Sequence, residues 1–162
     1  MGSIKRRSPG WLLGLALLSG VFFNTGCRTT ANAPLYNTSG PDWRVQQGQA
    51  LWRPGRQYPE LGGELIAATH PDGRCVLQFF KTPIPLVRAQ TSATHWLIQF
   101  PPRQLSFGGK GPPPPRFLWL YLPAALAGKP LPDPVRFARQ PDGGWTLANR
   151  KSGETLEGYL EP

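Results

Sequence analysis

The chain has 162 residues, with 18 Lys and Arg against 9 Asp and Glu and a formal net charge of +9. That length is enough for one domain with a sizeable core. Beyond residue 26 the basic residues are scattered, paired only at Arg53/Arg56 and Arg150/Lys151, which is not the clustered stripe of a nucleic-acid reader.

The N-terminus opens with Lys5, Arg6 and Arg7, followed by the apolar run Trp11 to Phe23. This run has the length of a signal-peptide hydrophobic region and is too short for a bilayer span, which needs roughly 20 apolar residues. Thr25 and Gly26 then lead into Cys27. Here the sequence resembles a bacterial lipoprotein precursor, whose lipobox ends in a small residue and the cysteine that is acylated. Asn24 departs from that pattern, which prefers an aliphatic residue there. The alternatives are an ordinary signal peptide cut near Ala31 to Ala33, or an uncleaved anchor.

The resemblance implies a signal peptide over 1–26 and lipidation at Cys27, so that the protein reaches the membrane through its N-terminal acyl chains. Each buried acyl methylene contributes about 0.8 kcal/mol, and two or three chains hold a domain on a membrane almost permanently. Arg28 stands where Asp favours inner-membrane retention in well-studied lipoproteins, which points to the outer membrane, facing the periplasm. Cys75 is then the only other cysteine, so no intrachain disulfide is expected.

From Arg28 to about Val45 the sequence is rich in Thr, Asn, Ser, Gly and Pro without hydrophobic period. It reads as a flexible tether, which sets boundaries of 27–46 for the lipidated cysteine and tether and 47–162 for a single β-rich domain. In "THWLIQF" the alternation puts Trp96, Ile98 and Phe100 on one face. "GRCVLQFFK" and "RFLWLYL" are apolar on both faces, which predicts strands covered on both sides. Pro71-Asp72-Gly73, Pro141-Asp142-Gly143-Gly144 and Lys151-Ser152-Gly153 read as turns between strands. "SFGGKGPPPPR" predicts an irregular exposed loop that interrupts the sheet. The expected fold class is therefore mainly β, an antiparallel curved sheet or incomplete barrel after a short signal helix and a tether.

Groups for chemistry are few. His70 and Cys75 flank a turn that contains Asp72, a trio that suits a metal corner or a thiol with a base. An apolar strand around Cys75 favours a buried structural thiol instead. Glu154 and Glu157 fall on opposite faces if "ETLEGYL" is a strand, and Glu64 comes from another segment, so no carboxylate pair is evident. Gly-Gly-Lys-Gly lacks the spacing of a phosphate-binding loop. No catalytic residue, metal or cofactor is expected.

The aromatic residues offer more. Core packing accounts for most of them, but the doubly apolar strands call for a second layer or an apolar ligand, and Trp96, Phe100, Phe117, Trp119 and Tyr121 are the candidate ligand-binding face. The run Lys81 to Phe107, with Lys81, Pro83, Leu86, Val87, Trp96, Leu97, Pro101 and Leu105, resembles a segment of the lipoprotein-carrier families LolA and LolB. That resemblance implies an incomplete barrel whose concave aromatic face takes acyl chains of lipid or lipoprotein. The chain is short for those families and lacks strong helices to plug the barrel. The alternative is an assembly lipoprotein that docks an envelope protein through its apolar surface and has no ligand cavity.

Overall fold

The computed structural model describes residues 34–161. The segment read as a signal peptide and Cys27 lie outside them. Nine strands form one antiparallel sheet that does not close into a barrel. They are β1 (Arg44–Arg53), β2 (Leu61–Thr69), β3 (Cys75–Lys81), β4 (Ile84–Thr91), β5 (His95–Phe100), β6 (Leu105–Lys110), β7 (Val135–Arg139), β8 (Trp145–Asn149) and β9 (Thr155–Leu160). The mainly antiparallel β class expected from the sequence is the one the chain adopts.

The strand order is β6-β5-β4-β3-β2-β1-β9-β8-β7. Two meanders thus meet where β9 pairs with β1, for example Ala50 with Gly158 and Trp52 with Leu156. The turns read from the sequence are present, and Gly73, Gly143 and Gly153 each adopt the positive φ that these tight turns require. Period-2 alternation sorts the residues between the two faces: Leu65, Leu77, Phe79, Val87, Ile98, Leu147 and Leu156 point into the core, and Glu64, Gln78, Arg88 and Glu157 lie on the other face.

The order leaves β6 and β7 at opposite edges, so the connection between them has to return across the whole sheet. It does so over the core-facing side, through a 3-10 turn (Leu118–Tyr121) that continues into α1 (Leu122–Leu126), touching β4 on one side and β8 and β9 on the other. This corrects the expectation of a two-faced strand at Phe117 to Leu122. A short run that is apolar in every direction fits a buried helical turn as well as a buried strand, because periodicity does not separate them. Every residue from Phe117 to Leu122 is buried. The polyproline stretch lifts this insert off the edge strand and is tied down in turn: Asn149 donates its side-chain N–H to the Pro115 carbonyl at 2.8 Å, and the Tyr121 hydroxyl donates to the Pro113 carbonyl.

A second correction concerns "SFGGK", which is not loop but the body of β6. Gly109 does not interrupt the sheet, because the edge has no room for a side chain there. A Cβ on Gly109 would lie 2.8 Å from the Trp96 ring that crosses it. Gly63 is under a tighter constraint on β2, where a Cβ would come within 2.0 Å of the Phe80 carbonyl oxygen and 2.9 Å of the Phe79 ring. Gly63→Ala is therefore expected to destabilise the fold by about 1 to 3 kcal/mol, measured by urea unfolding. An unchanged midpoint would show that β3 yields at this point without cost.

Part of the span read as tether is structured. β1 begins at Arg44, and residues 34–43 are bound to the outward face of the sheet. The Tyr36 amide donates to Gln90 Oε1 at 2.9 Å. Gln90 sits in the row that runs through Val76 and Leu97, two residues buried on that outward face.

Candidate functional site

The five residues expected to form an apolar binding face do converge, but on one another. Trp119 is 0% exposed, with its ring 5.0 Å from Phe79 and 5.8 Å from Trp52. Trp52 stacks on Phe100 at 6.1 Å, and Phe117 fills the space between Trp96 at 5.5 Å and Phe107 at 5.1 Å. Trp96 and Phe100 are half-buried against this cluster. Arg116 caps it, its guanidinium 4.8 Å from the Phe117 ring. Phe117, Trp119 and Tyr121 belong to the β6–β7 connection itself, which packs its aromatic side chains into the core with Trp96 and Phe100 of β5.

One carboxyl to which the sequence reading gave no role is part of this arrangement. Glu154, at the turn into β9, is buried and accepts the Trp52 indole N–H at 3.0 Å and the Leu118 backbone N–H. It joins β9, β1 and the insert at one point. Burial pushes its pKa up to about 7, and the two hydrogen bonds offset only part of that rise.

The His70, Asp72 and Cys75 trio separates. His70 Nδ1 lies 2.8 Å from Asp72 Oδ1. Arg74 donates to Asp72 from its backbone N–H at 3.0 Å and from Nε at 2.7 Å, and these bonds, the backbone one foremost, hold Asp72 down to about 2. The Arg74 guanidinium is sandwiched against Tyr36 and Trp43, 5.5 and 5.4 Å from their ring centres. The cluster is thus a clasp for residues 34–43. Cys75 faces the core, where burial pushes its thiol up to about 12, so it stays protonated and unreactive. Glu64 lies on the opposite face of the sheet from Cys75, exposed, and accepts the Thr82 hydroxyl at 2.7 Å. His95 is exposed and rests against Thr94. Among the described residues no group of three or more His, Cys, Asp or Glu is placed to hold a metal.

A separate open feature lies on the other side of the sheet. A groove of about 710 Å³ runs over the outward face of β2, β1 and β9. Its floor is set by two neighbouring rows of the pairing: Glu64, Gln49 and Tyr159 in one, Gly62, Leu51 and Glu157 in the other. The β3–β4 turn at Lys81 and Thr82 forms one wall, and the β7–β8 turn at Gln140 and Asp142 forms the other. Leu51 and Tyr159 are large apolar side chains left 45% and 42% exposed there. The sequence reading missed this site because its floor combines residues near 50, 63 and 158, each unremarkable in its own strand.

No protein-family model matches the chain, and no curated protein matches it significantly. Among the described residues no helix is long and apolar enough to cross a membrane.

Proposed function

We propose that this protein is a lipid-anchored envelope protein, on the outer membrane and facing the periplasm, whose β domain docks a protein partner through the outward groove. The observation that carries this reading is the filled concave face: the side chains that an acyl-chain carrier would offer to its cargo are packed around Trp119. Admitting a ligand there requires Phe117 to Leu122 to leave the core. Each large apolar side chain exposed costs about 1.5 to 3 kcal/mol, so the sum is on the order of 10 kcal/mol, comparable to the whole stability of a domain. The groove requires no such rearrangement.

The anchor rests on Cys27 and the apolar run before it. Cys27→Ser is expected to move the protein from the membrane to the soluble fraction after a high-salt wash, and retention in the membrane would remove the anchor from the account. The docking half is tested by a photo-crosslinking amino acid at Leu51, compared with one at the exposed Lys129 outside the groove. A discrete protein adduct from Leu51 and none from Lys129 is the expected result. Crosslinks to lipid alone, or none, would overturn it.

A further inference from the structure

Resting on that docking reading, we infer that the groove recognises a basic, extended peptide segment carrying apolar side chains. The first reason is charge. The protein has twice as many basic as acidic residues, yet Glu64, Asp142 and Glu157, three of only nine acidic residues, line this one groove, with Lys81 as the only basic side chain there. None of the three carboxylates is in a salt bridge among the described residues, whereas Glu60, Asp72 and Asp133 are each paired with Arg. A groove of negative sign on a positive molecule draws a cationic segment to this place and away from the rest of the surface.

The second reason is shape and apolar content. From the β3 wall to the β8 wall the floor crosses four strand spacings, about 19 Å, which an extended peptide spans with about six residues. Leu51 and Tyr159 stand exposed between the carboxylates, Leu51 directly beside Glu157 across the strand pair. A segment whose floor-facing residues, every second one of an extended chain, include both basic and aliphatic side chains places ammonium or guanidinium groups on the carboxylates and its apolar side chains on Leu51 and Tyr159. An acidic or purely apolar occupant leaves the carboxylates opposed or desolvated.

The test is fluorescence anisotropy of the intact protein in detergent with a labelled decapeptide in which Lys and Leu take turns at every second position, with Ser between them. A Glu-Leu decapeptide of the same spacing serves as the comparison probe. Expected are binding of the Lys-Leu peptide, none of the Glu-Leu peptide, and a loss of about five- to tenfold in affinity for Glu64→Gln/Glu157→Gln or in high salt. Both replaced side chains are exposed, and Asp142 is left intact because it accepts the Gly144 amide in its turn. Equal affinity of the double variant, or no binding of the Lys-Leu peptide, would overturn the inference. The two readings fail separately. A protein adduct at Leu51 that persists unchanged in the double variant leaves docking standing and removes the basic peptide, whereas loss of all Leu51 adducts in the parent protein removes docking itself.

Discussion

Trp119→Ala lowers the free energy of unfolding by about 3 to 5 kcal/mol, read from urea denaturation followed by circular dichroism. The size of the effect follows from position. The indole is fully buried between Phe79 and Trp52, and the segment that carries it crosses the sheet because its flanking strands occupy opposite edges. Truncation leaves a cavity in the middle of the molecule, and the rigid strands on three sides cannot close it. The indole N–H has no hydrogen-bond partner among the described residues, so it already carries part of the cost of a buried, unpaired donor. Trp119→Phe removes that donor and keeps most of the ring, and it is expected to cost less than about half as much. A Trp119→Ala protein that keeps its stability and gains affinity for lipid would mean that the insert is a lid.

The second large effect is a dependence on pH set by Glu154. Its folded pKa of about 7 stands above the ordinary 4.5 because the carboxyl is buried. Between those two values the folded state holds a proton that the unfolded state has lost, so stability falls as pH rises through that window. The contribution is complete below about pH 4.5 and gone above about pH 7, with a total on the order of 3 kcal/mol. Asp72 acts with the opposite sign in a different range: its lowered pKa contributes stability that is lost only as pH falls below about 4 toward 2. Glu154→Gln keeps an acceptor for the Trp52 and Leu118 N–H groups and removes the titration. Unfolding followed from pH 4.5 to 8 is expected to show the parent protein weakening with rising pH and the variant nearly flat. A parent protein that strengthens over this range would contradict the burial of an ionisable Glu154.

The same two residues show where a sequence is readable and where it is not. "THWLIQF" alternates because one side of β5 meets the core and the other does not, and a one-sided environment writes itself into the chain with period 2. The Pro-Asp-Gly turns are legible for a similar local reason, since the positive φ of Gly73 and Gly143 restricts the residue type. "FLWLYL" has no such sidedness. It is surrounded by the sheet and its own flanks, so a helical turn and a two-faced strand share one pattern, and only the edge positions of β6 and β7 decide between them. Gly109 reads as loop because its role is to make room for Trp96, a residue in the neighbouring strand. Glu154 looks like any surface carboxylate until Trp52, far away in sequence, is brought against it. The groove is illegible for the same reason, because its charge and its apolar patch come from three strands at two ends of the chain.

The separation of a filled concave face from an open outward groove distinguishes a docking protein from a carrier. Native mass spectrometry of the polypeptide from Arg28 to Pro162, purified from cells without acylation, addresses that point most directly. A bare protein mass, with no lipid released on activation, is the result this account predicts. A stoichiometric bound lipid that is lost together with the fold in Trp119→Ala would contradict it and return the aromatic cluster to the role of a binding face.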